Sequence, residues 1–335
     1  MCTKICLILS IIHDEWMSTT GVNSQVFYIL EGTLFKMTLG PEPPAVTPSL
    51  QRLRSKAKHE IGEIDDLIPE QIAAIRTVLS EESLVNVPPK QFDPFLLRCL
   101  RARKFDIHRA AKTYKKFCYM NYNLSEITDY LLPSTYNGLI HSKFISILKS
   151  VDASGRQIVF IQVHKWHHAK HTLDEALGTL FMYIDQALDS VDTQLNGIVV
   201  LVDFKGFGFG HARQVTPAKV QAVVNMVQDS YPARFKEFHF YNHPTLFNMV
   251  FALAKPFLKE KIRKRIFFHG HDLASVHRSI NPALLPACMG GALPDNAFID
   301  EEALALLLKK DDYFNDMKEN FLPILQEPEY PDYIK

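Results

Sequence analysis

Residues 197–206 read Gly-Ile-Val-Val-Leu-Val-Asp-Phe-Lys-Gly, and this stretch decides the fold class. The five residues from Ile198 to Val202 place apolar side chains on both faces of a strand, which is typical of a central strand in a parallel sheet covered on each side. Further runs of β-branched and aromatic residues predict three more strands, at residues 157–163, 237–241 and 265–268.

Two amphipathic helices are predicted between these strands. The first covers residues 173–189 and the second residues 217–229, and each repeats apolar residues at offsets of three and four. Strands that alternate with helices indicate an α/β layer built on a mostly parallel sheet.

A Pro-rich break at residues 40–48 separates an unpatterned leader from the rest of the chain. Apolar residues then recur at helical spacing in three segments, residues 68–79, 93–100 and 106–122, which predicts a small helical bundle. We therefore predict a poorly ordered extension over residues 1–49, a helical domain over 50–130, an α/β domain over 131–295, and a C-terminal helix and tail over 296–335.

The composition is that of an ordinary globular protein, with 47% hydrophobic residues and a formal net charge of +0. Because no global field draws such a chain to nucleic acid, electrostatic targeting requires a local basic patch. The five cysteines form no Cys-x-x-Cys pair, and an odd number cannot all form intramolecular disulfides, which favours a reducing, cytoplasmic setting. The apolar run at residues 5–12 is too short to span a bilayer, and we interpret it as part of the extension.

The most unusual pattern lies at residues 243–265. At 100° per residue, the apolar side chains from Leu246 to Leu253 cover an arc of about 200°, roughly twice what a surface helix needs. Either this helix is buried on nearly all sides, or one apolar face covers a cavity while another is available to lipid. The next eleven residues, 255–265, contain six cations and one acid. Such a run favours a surface that meets anionic lipid, and a solvated charged face is the alternative.

Three blocks of sequence resemble the CRAL-TRIO family of lipid-binding proteins. They are Phe-Leu-Leu-Arg-Cys-Leu-Arg-Ala-Arg-Lys-Phe-Asp at 95–106, the stretch at 197–206, and Lys-Pro-Phe-Leu-Lys-Glu-Lys-Ile-Arg-Lys-Arg-Ile at 255–266 with His269 and Gly270. The similarity covers about residues 67–293. It implies a helical bundle followed by a lipid-binding domain, in which a sheet floor and a mobile lid helix enclose one hydrophobic molecule.

The resemblance also implies which side chains form the pocket. The predicted lining comprises Leu177, Leu180, Phe181, Ile184, Ile198, Val202, Phe207, Val223, Val227, Phe235 and Phe238. The predicted lid residues are Leu246, Phe247, Val250 and Phe251. Because Leu180 and Ile184 are apolar where some members carry polar groups, the pocket should favour a ligand with few polar groups along that wall.

Some members of the family bind a phosphoinositide at the edge of the lid through four basic positions. These positions fall on Arg234, Lys236, Lys261 and Arg265, and all four are basic here. The resemblance therefore implies a carrier that exchanges a tocopherol, retinoid or similar lipid at phosphoinositide-containing membranes. We expect a cytoplasmic protein that associates peripherally with membranes, those of endosomes above all.

One motif departs from the family. Its Leu-Pro-x-Glu-Tyr-Gly-Gly sequence reads Leu-Pro-Ala-Cys-Met-Gly-Gly at residues 285–291, so Cys288 and Met289 replace Glu and Tyr. A thiol does not support the hydrogen-bond network of an ionised carboxylate, so local contacts must differ. The two glycines that permit a tight backbone remain, and we expect the fold to be kept.

Rival interpretations come from other protein classes. A glycine-rich run, Gly-Phe-Gly-Phe-Gly at 206–210, follows a strand, but the dinucleotide-binding spacing would require glycine at His211 or Arg213. The dense histidine cluster at residues 164–171 lacks a nearby cysteine, so a metal site is not implied. An adaptor that reads phosphoinositides without carrying cargo is the third alternative. Our prediction is a monomeric carrier, not an enzyme, with no cofactor, metal or nucleic acid partner.

Overall fold

The structure is a computed structural model, and it describes residues 25–30, 33–38, 48–127, 132–295 and 297–324. It divides into two units, Met1–Arg52 and Leu53–Lys335. In the first unit, strands β1 (Gln25–Leu30) and β2 (Thr33–Thr38) form an antiparallel hairpin that the sequence did not predict. Residues 1–24, 31–32 and 39–47 of the predicted extension lie outside the described residues.

The helical bundle contains four helices: α1 (Pro48–Ile61), α2 (Ile68–Glu82), α3 (Asp93–Ala102) and α4 (Ile107–Ile127). Helices α2 to α4 confirm the three predicted helical segments. Their apolar faces meet in one core together with Phe321, which is fully buried near the C-terminus. The ring centroids of Phe92 and Phe95 each lie 4.7 Å from that of Phe321, so the C-terminal segment is part of the helical core.

The main sheet has five strands in the order β3 (Ile145–Ile147), β4 (Gln157–Gln162), β5 (Ile198–Asp203), β6 (Phe235–Tyr241) and β7 (Ile266–Gly270). Strand β3 is antiparallel to β4, and the other neighbours are parallel. The four predicted strands are confirmed, whereas β3 was missed because it is only three residues long. All six residues of β5 are buried, as its two-faced apolar pattern predicted.

Helix α5 (Asn137–His141) lies just before β3. Six helices lie in the connections between the parallel strands: α6 (Leu173–Ala187), α7 (Val191–Asn196), α8 (Phe209–Ala212), α9 (Pro217–Asn225), α10 (Thr245–Ala254) and α11 (Glu260–Arg263). Both predicted crossover helices are confirmed as α6 and α9. Helix α6 begins at a capping box, in which Thr172 and Glu175 satisfy each other's backbone N–H groups. Helix α9 ends at Asn225, and the chain continues directly into a π-helical turn, Met226–Ser230.

The two faces of the sheet pack against different elements. On one face, Val200 and Val202 join the apolar core of the crossover helices and the helical bundle. On the other face, Val199 and Leu201 pack against α12 (Leu273–Ser279) and the chain that follows it. Two further helices, α13 (Glu301–Leu307) and α14 (Asp311–Asn320), complete the described chain. Within the described ranges, none of the helices combines the length and the apolar composition needed to cross a membrane.

The motif in which Cys288 and Met289 replace the family's Glu and Tyr forms a tight turn at residues 285–291. Gly290 adopts a left-handed φ of +63°, and a Cβ on Gly291 would lie 2.0 Å from the Leu285 carbonyl oxygen, so both positions require glycine. Met289 is fully buried in the outer apolar cluster. The Cys288 backbone N–H donates to Asp295 at 2.9 Å, and burial together with Asp295 raises the pKa of the thiol to about 11. The substitution is therefore accommodated without loss of the turn.

Two buried networks of charged groups join the helical bundle to the α/β layer. Arg98 on α3 donates to Asp185 at 2.8 Å and to Asp189 at 2.7 Å, at the end of α6. Arg101, one turn later, holds Glu63 with two hydrogen bonds of 2.9 and 2.7 Å and donates to Gln194 on α7, in the α/β layer, at 2.7 Å. Bidentate pairing of this kind fixes orientation, because both guanidinium and carboxylate are planar.

The Arg101 network yields a prediction about stability. Replacing Arg101 by Met leaves the buried Glu63 carboxylate without its partner, and breaking a buried pair in this way costs about 3–5 kcal/mol. Urea unfolding should show that loss of unfolding free energy for Arg101→Met. The matched control is Arg54→Met, which removes an exposed pair with Asp65 and should cost at most about 1 kcal/mol. Equal losses in the two variants would contradict a structural role for the Arg101 network.

Candidate lipid-binding site

An apolar cavity of about 240 Å³ lies between α9, α10 and the outer strands β6 and β7. Its lining is Leu173, Leu177, Val215, Lys219, Val220, Val223, Val224, Val227, Phe238, Phe240, Phe247, Val250, Phe251, Ala254, Leu258, Ile262 and Ile266. Lys219 is the one polar residue in this set, and its ammonium group is paired with Asp174 at 2.7 Å. Such walls suit a hydrophobic molecule.

The structure brings together part of the predicted pocket. Seven predicted residues line the cavity: Leu177, Val223, Val227, Phe238, Phe247, Val250 and Phe251. Seven more lie in the apolar core around it and outside its lining: Leu180, Phe181, Ile184, Ile198, Val202, Phe207 and Phe235. Leu246 is half-buried on the lid and also lies outside the lining. The roles of all these residues in ligand binding remain predictions.

A buried tyrosine occupies the space beside the predicted inner wall. The ring of Tyr231 stacks on that of Phe181, with centroids 6.0 Å apart, and its hydroxyl donates to the Phe181 carbonyl at 3.1 Å. Phe117 from the helical bundle contacts the same tyrosine ring at 5.6 Å. This side of the layer is therefore close-packed core rather than cavity.

Helix α10 has two different apolar faces. The sequence left open whether this helix is buried on nearly all sides or covers a cavity with one face and exposes the other. Its inner face places Phe247, Val250 and Phe251 on the cavity. On its outer face Met249 is 70% exposed and Leu253 is 37% exposed. The helix therefore covers a cavity with one face and presents the other to solvent, and we call it the lid.

Another exposed aromatic residue stands next to the lid, on the glycine-rich turn. Phe209 is 76% exposed at the start of α8, which packs against the lid. The turn is held by the histidine cluster: the ring of His168 lies 4.5 Å from that of His211, and His211 bonds the Trp166 carbonyl at 3.1 Å. Among the described residues, no group of three or more His, Cys, Asp or Glu side chains is arranged to hold a metal ion.

A basic cleft of about 660 Å³ lies beside the cavity. All four residues that the resemblance predicted for phosphoinositide binding line it: Arg234, Lys236, Lys261 and Arg265. The helical bundle and the segment after the lid contribute six more basic residues that were not assigned to this site: Arg103, Lys104, Arg109, Lys112, Lys116 and Lys259. Ten basic residues therefore converge on one cleft in a chain of zero net charge.

Burial and mutual repulsion lower the pKa of two lysines in this cleft. Burial and the neighbouring Arg234 and Arg265 lower the pKa of Lys236 to about 8. Burial, Arg265 and Arg109 likewise lower the pKa of Lys261. An ammonium group whose pKa is lowered by nearby cations gains most from a bound polyanion, which restores its charged form.

One carboxylate links the cleft to the lid. Asp229 lies in the π-helical turn after α9, and both its oxygens accept from Lys259 at 2.6 Å. Burial alone would raise the pKa of Asp229, but Lys259 and Lys116 lower it. The preceding Gln228 bonds the chain on both sides of Leu258, accepting from the Lys259 N–H at 2.6 Å and donating to the Phe257 carbonyl at 3.1 Å. The end of the lid segment is thus tied to the wall of the cleft.

The sequence provided only a weak indication that basic residues of the helical bundle line the basic cleft. Arg98, Arg101 and Arg103 lie in one arginine-rich run, but the first two turn inward to buried carboxylates. Arg103 and Lys104 face the cleft because helix α3 ends at Ala102 and Lys104 adopts a left-handed φ of +56°. Periodicity in the sequence alone does not separate the arginines that are buried against carboxylates from the basic residues that line the cleft.

Comparison with known proteins agrees with this architecture. Residues 141–291 match the CRAL/TRIO domain. The human (Homo sapiens) alpha-tocopherol transfer protein-like protein is 34% identical over 274 residues, which are 82% of this chain and 80% of that protein. Mouse (Mus musculus) clavesin-1 is 33% identical over 276 residues, which are 79% of this chain and 73% of that protein. With identity at this level over most of its length, the chain belongs to the CRAL-TRIO family.

Proposed function

We propose that this protein carries one hydrophobic molecule in its apolar cavity and exchanges it at phosphoinositide-containing membranes. The observation that carries the proposal is the lid, whose inner face lines the cavity and whose outer face exposes Met249 and Leu253. A helix that is apolar on both sides exchanges cavity contacts for lipid contacts with little net exposure to water. Its relatives include a protein named for alpha-tocopherol transfer, which supports the same class of function.

The basic cleft supplies the membrane recognition in this proposal. Val227 and Ile262 line both the cavity and the cleft, so the two spaces share a wall. A phosphorylated headgroup in the cleft would compete with Asp229 for Lys259 and Lys116, and so loosen the attachment of the lid segment. Headgroup binding and lid opening are coupled through this one carboxylate. We expect the protein to act in the cytoplasm, at endosomal membranes.

Native mass spectrometry of protein purified from cells tests whether the protein carries a cargo. The wild type should carry one lipid-sized adduct that organic extraction removes. Val223→Trp should yield a bare protein, because the indole fills the small cavity. Val191→Trp, at an exposed valine, is the matched control and should keep the adduct. A wild type that is bare in every preparation and exchanges no lipid between vesicles would favour the adaptor alternative over the carrier.

Charge reversal tests whether the basic cleft binds phosphoinositide headgroups. The double variant Lys261→Glu with Arg265→Glu should weaken binding to phosphoinositide vesicles at least about tenfold, since each cation near an anionic surface contributes about 1 kcal/mol. The loss should shrink as salt rises, because screening removes the same attraction. Reversal of two exposed lysines outside the cleft, Lys90→Glu with Lys149→Glu, serves as the control in a vesicle flotation assay. Unchanged flotation of the cleft variant would show that the headgroup binds elsewhere.

The lowered pKa of Lys236 predicts a pH dependence. As the pH rises from 7 to 9 the ammonium group, with a pKa of about 8, loses its charge, so affinity for phosphoinositide vesicles should fall about fivefold. The headgroup phosphates are already doubly ionised above about pH 7 and cannot cause this fall. Lys236→Arg stays charged and should flatten the profile. A wild-type profile as flat as that of the arginine variant would rule out Lys236 as a headgroup contact.

A further inference from the structure

A polar pocket lies at the carboxyl ends of the parallel strands and shares no lining residue with the apolar cavity or the basic cleft. Its volume is about 730 Å³, within the roughly 300–1,000 Å³ that is usual for ligand pockets. The ends of β4, β5 and β6 contribute Gln162, Asp203 and Tyr241. The segment after α12 contributes Cys288 and Asp295. In open α/β sheets, small molecules bind at this edge, and we call the space the strand-end pocket.

Two buried polar side chains form the floor of the strand-end pocket. Gln162 and Asp203 are register partners at the last positions of β4 and β5, so their side chains leave the sheet on the same side, about 5 Å apart. Gln162 is 3% exposed and Asp203 is 5% exposed, although both line the pocket. Polar groups buried this deeply need hydrogen-bond partners. The bonds that these two side chains leave unmade therefore decide what the pocket can bind.

Asp203 is held through one carboxylate oxygen and offers the other. Its Oδ1 accepts from the Lys205 backbone N–H at 3.0 Å and from the Asn242 side-chain amide at 2.9 Å. Asn242 is itself fixed by His271, whose Nδ1 lies 2.9 Å from the Asn242 side-chain oxygen. Oδ2 accepts no hydrogen bond from any residue that the structure describes, and it is not closed off from solvent. The carboxylate is thus oriented with one free acceptor on the pocket.

The side-chain amide of Gln162 offers a donor beside this acceptor. Its oxygen accepts from the Lys165 ammonium at 2.7 Å. Its Nε2 lies 3.9 Å from Cys288 Sγ, and a thiol is a weak acceptor. The family motif has glutamate at position 288, whose longer side chain ends in a strong acceptor. With the short thiol in its place, the Gln162 amide is left to donate to a bound molecule.

The formal charges of the lining cancel. Lys165 and Lys205 each carry a positive charge, and they are opposed by the carboxylates of Asp203 and Asp295. Burial lowers the pKa of His164, and the two lysines add to this although Asp203 opposes it, so the imidazole is neutral at pH 7. An anion in the pocket would be repelled by Asp203 and a cation by Lys165. In contrast to the basic cleft, this space therefore favours a neutral polar molecule.

We propose that the strand-end pocket binds a neutral polyol, a molecule with hydroxyl groups on adjacent carbon atoms, such as a sugar or an inositol. One hydroxyl donates to Asp203 Oδ2 and its neighbour accepts from the Gln162 amide, because each hydroxyl can act in either role. The apolar part of the lining, Phe204, Phe207 and Phe298, packs against the C–H face of the ring. A free polyol and the headgroup of a glycolipid share this chemistry. The site is independent of the carrier function proposed above.

Ligand-observed NMR titration of the full-length protein tests the proposal with four soluble probes: myo-inositol and the methyl pyranosides of glucose, galactose and mannose. At least one should bind with a dissociation constant of about 10 mM or below, as a few net hydrogen bonds provide. The same ring without hydroxyls, 2-methoxytetrahydropyran, should not bind. The bound polyol should also slow alkylation of Cys288, measured by peptide mass spectrometry, because this exposed thiol lines the pocket.

Two variants with matched controls locate the binding. Asp203→Asn replaces the free acceptor by a donor at equal size and should weaken binding at least about tenfold. Asp192→Asn, at an exposed aspartate on α7, is its control. Cys288→Glu supplies an acceptor for Gln162 and should weaken binding similarly, whereas Ala287→Glu adds the same charge at an exposed residue outside the lining and should bind as the wild type. Because Cys288 is exposed, its variant tests the site independently of any effect of Asp203→Asn on folding.

Vesicle flotation distinguishes the two sources of the polyol. Phosphatidylcholine vesicles that contain galactosylceramide should float the wild type and not Asp203→Asn if the source is a lipid headgroup, and binding of the soluble probes alone identifies a free polyol. Failure of all four soluble probes and of the glycolipid vesicles overturns the proposal. So does binding that both Asp203→Asn and Cys288→Glu leave unchanged, binding that leaves alkylation of Cys288 unaffected, or equal binding of 2-methoxytetrahydropyran.

Discussion

The structure depends on one constraint: a parallel sheet is stable in water only when both of its faces are covered. The outer face of this sheet is covered by α12 and the chain after it, and most of the inner face by α6 and the helical bundle. Over the outermost strands, β6 and β7, the cover is the lid. Each aromatic or aliphatic side chain that the lid buries contributes about 1.5–3 kcal/mol. Opening in water is therefore opposed, whereas at a bilayer the same side chains stay in an apolar medium.

Electrostatics adds a second constraint that is independent of packing. The cations of the basic cleft come from the helical bundle, from β6 and the residue before it, and from the segment after the lid, and burial together with their mutual repulsion lowers the pKa of Lys236 and of Lys261. The contacts of Arg98 with Asp185 and of Arg101 with Gln194 join the bundle to the α/β layer despite this repulsion. Asp229 neutralises part of the charge from within and ties Lys259 to the wall of the cavity. The same contact that stabilises the closed state is thus the one that an external anion would replace.

The elements of the fold could be predicted from sequence because their patterns are local. The two-faced apolar run of β5 and the helical periodicities of α2 to α4, α6 and α9 depend only on near neighbours. The cavity is different, because whether Phe181 faces a void or a neighbour depends on Tyr231, which is 50 residues away. The cations of the bundle were missed for the same reason: Arg101 and Arg103 are two residues apart, yet one is buried against Glu63 and the other faces the cleft. Tertiary packing, rather than periodicity, assigns these roles.

The wall formed by α9 is held by side-chain contacts at both of its ends. At one end, Lys219 near the first turn of α9 pairs with Asp174 in the first turn of α6. At the other, Gln228 and Asp229 hold the chain that leaves the lid. In the proposed function, the apolar part of the cargo would lie under Phe247 and Phe251. In the proposed function, a headgroup bound in the cleft would contact the wall that the cleft shares with the cavity at Val227 and Ile262, so membrane recognition and cargo release would be connected through the end of α9.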